Sequence, residues 1–81
     1  MPVVFFFQGF KFFFFSNEGD PLEPVHIHVR KERNLAKFWL EPDVQLAESY
    51  GFSAVELNRI RKIIDNRRAE IEAVWNEHFN S

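Results

Sequence analysis

The chain has 81 residues, a formal charge of −2, 46% hydrophobic residues and no cysteine. That length holds one domain with a single small core, and the near-neutral balance excludes a general attraction to nucleic acid or anionic lipid. Disulfides and thiolate metal sites are excluded as well, a composition that fits the cytoplasm. The charge is nevertheless sorted: residues 26–40 carry a net +3, residues 41–57 a net −4, and residues 58–68 a net +4. Blocks of this kind read first as solvated faces paired with one another, and second as a basic patch that touches RNA.

In chain order, the first element is "VVFFFQGFKFFFF", which holds eight of the 11 phenylalanines. Gln8, Gly9 and Lys11 interrupt it, so no apolar run approaches the roughly 20 residues that a membrane-crossing helix needs. No basic segment precedes it, as one would in a signal peptide. Aromatic and β-branched residues favour strands, and Gln8-Gly9 supplies a tight turn. The segment is predicted to be a hairpin over residues 3–15, with strands Val3 to Phe7 and Phe10 to Phe15. Alternation then puts Phe10, Phe12 and Phe14 on one face and Lys11, Phe13 and Phe15 on the other. One helix covers only one such face well. The other calls for a second copy of the chain, a different protein, or the chain's own loops and tail.

"SNEGDPLEP" is a loop, broken by Gly19, Pro21 and Pro24. A meander follows over residues 25–48: a strand from Val25 to Arg30, a turn at "KERN", a strand from Leu35 to Leu40, a turn at Glu41-Pro42-Asp43, and a short strand from Val44 to Glu48. In that last strand Val44, Leu46 and Glu48 alternate against Gln45 and Ala47. "SAVE" then forms a capping box at Ser53 and Glu56. Leu57, Ile60, Ile64, Ile71 and Trp75 recur at helical spacing, so residues 53–78 are predicted to be one long carboxy-terminal helix. Asp65-Asn66 are poor helix formers and Arg67-Arg68 interrupt the apolar stripe, which leaves room there for a bend or break. The expected fold is α+β, a single domain over residues 1–81. Its antiparallel sheet of about four or five strands, a meander of hairpins, packs against that helix.

The chemistry-bearing stretch is "PVHIHV". His26 and His28 are two residues apart in a predicted strand, so they share a face. Val25, Ile27 and Val29 take the opposite, core-facing side. The two rings are therefore expected on the outer or partner-facing surface, beside a loop carrying Glu18, Asp20 and Glu23. Several uses fit. Two imidazoles can share a divalent metal such as Zn²⁺, provided that His78, Glu18, Asp20 or Glu23 comes near as a third ligand. One neutral and one protonated ring can act as base and acid in RNA cleavage, with Arg30 on the same face and Lys37 on the neighbouring strand to hold phosphate. A polar sheet face, hydrogen-bonded to the acidic loop or to a partner, is the plainest reading. The candidate site is His26 and His28, with Glu18 and Arg30 in support. No cofactor is expected, a divalent metal being the weaker alternative.

Taken in order, "SNEG", "PVHIHV", "AKFWL", "LAESYGFSAVEL" and "VWNEHF" resemble a family of small bacterial proteins numbered four-one-six-zero among the domains of unknown function. The resemblance covers nearly the whole chain. Its most specific piece is Pro-x-His-x-His-Val, met by Pro24, His26, His28 and Val29. Lys37-Phe38-Trp39 and Trp75 also match. The chain departs from many relatives in its phenylalanine-rich hairpin and in Ile27 between the histidines. The resemblance implies a toxin-like member of a type II toxin–antitoxin pair. Its partner would be a cognate antitoxin-like protein, or a second copy of the chain, meeting the hairpin. RNA is a further candidate target. A metal-dependent hydrolytic domain and a non-catalytic protein-interaction module remain as alternatives.

Overall fold

The computed structural model describes residues 2–15 and 23–79. It is an α+β fold in which five strands form one antiparallel sheet in chain order. The strands are β1 (Val3–Phe7), β2 (Phe10–Phe13), β3 (His26–Lys31), β4 (Asn34–Trp39) and β5 (Gln45–Tyr50), followed by α1 (Ala54–Asn66) and α2 (Arg68–Phe79). Every neighbouring pair is joined by a short connection except β2 and β3, so the sheet is a meander.

The turns follow from their residues. Gln8 and Gly9 both take positive φ, at 52° and 83°. That is the backbone of a two-residue hairpin whose twist matches its strands. It fixes Phe7 opposite Phe10 and Phe6 opposite Lys11. Between β3 and β4 Glu32 takes the positive φ, at 57°. Strand β2 ends at Phe13, two residues before the expected Phe15, although Phe14 N–H still donates to Pro2 O at 2.9 Å.

The predicted alternation holds in the hairpin. Phe10, Phe12 and Phe14 enter the core with Ile27, Val29, Phe38, Ile60, Ile64, Ile71 and Trp75. Of the coverings that the sequence leaves open for the hairpin's two faces, the chain itself supplies most. Of its eight phenylalanines, Phe6 alone is exposed. Arg67 accounts for part of this, because its guanidinium lies 4.4 Å from the Phe5 ring centre and 4.7 Å from that of Phe7.

Two expectations need correction. The helix over residues 53–78 is two helices, parted at Arg67, whose φ of −115° and ψ of 20° leave the helical region. Its N–H is shared between Ile63 O and Ile64 O. Asp65 and Asn66 hold the preceding turn weakly, and the two aromatic contacts draw Arg67 toward β1. The start is as expected: Ser53 Oγ accepts from Glu56 N–H at 3.1 Å, and Ser53 N–H donates to Glu56 Oε1 at 3.0 Å.

The second correction concerns β5. Its register on β4 shifts between Lys37 and Phe38, so that Lys37 faces Glu48 while Phe38 faces Leu46. Ala47 is the extra residue of a bulge. Leu46 and Glu48, which simple alternation puts together, therefore lie on opposite faces. Leu46 turns toward the helices and Glu48 away from them.

Candidate functional site

Strand β3 sits at the centre of the sheet, and its alternation divides the molecule. Ile27 and Val29 are fully buried among the core residues beneath the helices. His26 and His28 share the other face, their ring centres 5.3 Å apart and their planes nearly perpendicular. The shared face was predicted; the openness to solvent was not met. His26 is fully buried and His28 is only 8% exposed.

Aromatic rings supply part of this cover. The His26 ring lies edge-on to Trp39 at 5.4 Å and to Trp75 at 4.9 Å, because the end of α2 reaches past the start of β3. His28 lies 5.6 Å from Phe13 and 4.5 Å from Phe15. Pro24 O sits 2.8 Å from His26 Nδ1. A carbonyl oxygen only accepts, so Nδ1 carries the proton of that bond, which fixes the ring against rotation.

The strand register sets three rows of side chains across this face. His26 pairs with Trp39 and then Gln45. Phe13, His28, Lys37 and Glu48 form the next row. The third crosses all five strands: Phe6, Lys11, Arg30, Leu35 and Tyr50. Phe6 and Tyr50, at its ends, are 69% and 61% exposed. Between them Lys11 and Arg30 stand directly opposite one another, both against the Phe13 ring at 5.2 and 5.8 Å from its centre. Neither makes an ion pair among the described residues. Like charges directly across a strand pair are destabilising, so this pair is retained at a cost.

Lys37 is differently placed. Its ammonium lies 4.3 Å from the Trp39 ring centre and 3.4 Å from Glu23 Oε1. Of the sequence-predicted site, the structure thus brings His26, His28 and Arg30 to one face, with Lys37 beside them. Glu18, and with it Asp20, lies outside the described residues. Among the described residues no group of three or more His, Asp or Glu side chains is arranged to hold a metal. Lys11, Phe6 and Tyr50 were not among the candidate residues, though the turn at Gln8-Gly9 already puts Phe6 beside Lys11.

What the fold and site define is a small α+β domain that gives one sheet face to its helices and keeps a cationic, aromatic row on the other. Residues 9–76 match the model of the family described as Domain of unknown function (DUF4160), and the chain belongs to that family. No curated protein and no solved structure matches it. No described helix is long and apolar enough to cross a membrane.

Proposed function

We propose that the chain is a cytoplasmic, RNA-directed toxin component of a two-protein toxin–antitoxin pair, and that it engages single-stranded RNA through the outer face of its sheet. The observation that carries this reading is the cross-strand row Phe6, Lys11, Arg30, Leu35, Tyr50. Cations that track a phosphate backbone, set between aromatic surfaces on which bases stack, are the chemistry of single-strand binding. Four inter-strand gaps of about 4.8 Å make the row about 19 Å wide, enough for several nucleotides. Bound phosphate relieves the repulsion between Lys11 and Arg30, which gives the pair a use that its cost to the fold requires.

His28 is the group placed to act as acid or base on a strand lying along this row. It is two residues from Arg30 on the same face, is not fully sealed, and has Lys37 opposite it. His26, sealed and bonded to Pro24 O, is its positioning neighbour rather than a group that meets substrate. The phenylalanine-rich hairpin remains the surface proposed for the antitoxin, narrowed to the exposed Phe6 and Val3 along β1.

The test is fluorescence anisotropy with a labelled single-stranded RNA over a salt series, run on the wild type and on Lys11→Glu/Arg30→Glu. Binding is expected to weaken at least tenfold in the variant. The dependence of log K on log salt should flatten by about 0.7 for each cation lost. Unchanged affinity in a folded variant removes the RNA reading. In a growth-inhibition assay, His28→Ala with its fold intact should abolish toxicity; full toxicity would remove His28 from the mechanism while leaving the binding row to be judged on its own.

A further inference from the structure

On the other side of the sheet, between β5 and α1, lies a half-open cleft of about 300 Å³. Its floor is apolar: Phe38 and Val44 are buried core residues, and Leu57 packs against that core. Leu46 forms its outer wall and is 45% exposed, an unusual condition for a leucine aimed at the helix layer. It stands there because the bulge at Ala47 turns it away from the outer face. Bulges recur beside binding sites, where they re-aim one side chain. Asn58 and Arg61 line the helical side of the cleft. The Arg61 guanidinium makes no ion pair among the described residues, and the same stretch of α1 carries the exposed cations Arg59 and Lys62.

The cleft is flanked by an open strand edge. Strand β5 is last in the sheet order and, among the described residues, pairs only with β4. Among the described residues nothing pairs with its other edge, and unpaired edge donors and acceptors are the feature by which an extended segment adds to a sheet. Three conditions therefore meet at one place: backbone partners for an extended chain, an apolar floor roomy enough for a large side chain, and a cation on the helical wall with no ion pair among the described residues.

From these we infer that the cleft between β5 and α1 binds an extended segment of another protein, with an apolar side chain in the cleft and an Asp or Glu side chain on Arg61. Side chains of a strand two positions apart share a face. The recognised pattern is thus an apolar residue with an acidic residue two positions away. The charge of Arg61, the one cation lining the cleft, disfavours a basic residue at that position. This site faces away from the Lys11–Arg30 row and is independent of it.

The experiment is a selection of random, unstructured peptides displayed on phage against the immobilised full chain. Individual synthetic peptides are then titrated into isotope-labelled protein and followed by nuclear magnetic resonance. The expected consensus is an apolar residue with Asp or Glu two positions away, and the shifted amides should be those of Gln45 to Tyr50 and of α1 around Arg61. Arg61→Glu should weaken the selected peptides at least tenfold and bind their Glu→Lys counterparts better than the wild type does. Lys11→Glu/Arg30→Glu should leave peptide affinity within twofold, so failure of the RNA reading and failure of this one are separately visible. No enriched consensus, shifts confined to other elements, or affinity indifferent to Arg61→Glu would each overturn the inference. Because Arg61 is exposed, loss of fold in that variant is not expected, and Arg61→Gln serves as a milder check.

Discussion

The repulsion between Lys11 and Arg30 has a size and a sign that can be measured without any ligand. The Lys11 ammonium is 5.2 Å and the Arg30 guanidinium carbon 5.8 Å from the same ring centre. The two charges are therefore no more than about 11 Å apart, the sum of those distances. Coulomb's law gives at least about 0.4 kcal/mol of repulsion in a water-like medium and about 1.5 kcal/mol at an effective dielectric of 20. The assay is a double-mutant cycle in urea with Lys11→Met, Arg30→Met and both, since methionine keeps much of the stem and drops the charge. Each single change relieves the repulsion, and the second relieves nothing further. The double variant should thus fall short of the summed single effects by about 0.4–1.5 kcal/mol in ~10 mM salt. At about 1 M salt, where charges are screened within some 3 Å, the coupling should approach zero. Contacts of each side chain with Phe13 appear in the single variants and cancel from the cycle. A zero or attractive coupling at low salt would refute the reasoning, because it would mean that a carboxylate already neutralises the pair and that no phosphate is needed there.

Three further outcomes follow from the packing and the caps. Trp75→Ala should cost about 3–5 kcal/mol in urea denaturation, since Trp75 is 1% exposed and holds Phe14, Phe79 and His26 together; a loss below about 1 kcal/mol would show that the end of α2 is not docked. Gly51→Ala should lower stability by about 1–3 kcal/mol, because Gly51 has a φ of 89° and an added Cβ would run into Asn34 Oδ1; adding Asn34→Ala should recover the steric part only, and full recovery would show that the backbone bears no strain. At the start of α1, the bond from Ser53 N–H holds the Glu56 carboxyl below its ordinary value of 4.5. The folded chain then binds that proton less readily than the unfolded chain, so the stability that it contributes is present at neutral pH and lost as pH falls below about 4.5 through the folded value. The melting-temperature gap between the wild type and Glu56→Gln should narrow on acidification, and a widening gap would contradict this sign.

Much of the fold was legible because local chemistry decides it. Gln8-Gly9 names a turn, the turn fixes which residues of β1 and β2 face one another, and Ser53 with Glu56 names the start of α1. Alternation alone put Phe10, Phe12 and Phe14 on one shared face, assigned Ile27 and Val29 to the core side, and put the two histidines opposite them. What escaped was long-range. The register of β2 on β3 is set across twelve residues that no two-residue turn rule governs, so the meeting of Lys11 with Arg30 could not be read from spacing. Burial of His26 draws on Trp75, almost 50 positions away in the chain. The bulge at Ala47 leaves no signal in composition, since alanine suits either face.

That bulge organises more of the surface than its one residue implies. With unbroken alternation, Leu46 and Glu48 would lie on one face of β5, and either choice would cost something. On the outer face Leu46 would add an apolar patch beside Trp39 and leave the cleft without its wall. On the helix side Glu48 would put a carboxylate above Phe38, where burial without a partner is strongly unfavourable. The extra residue resolves this by sending the two apart, and both proposed surfaces gain. Glu48 comes to face Lys37, which already meets Glu23. The cation across the strand pair from His28 is thus paired with Glu23, with Glu48 opposite it in register, while Lys11 and Arg30, one row further along, make no ion pair among the described residues. Leu46 comes to face Phe38 and completes a cleft whose one charged wall is Arg61. The cleft therefore depends on that local register, whereas the Lys11–Arg30 pairing is set between β2 and β3 and does not.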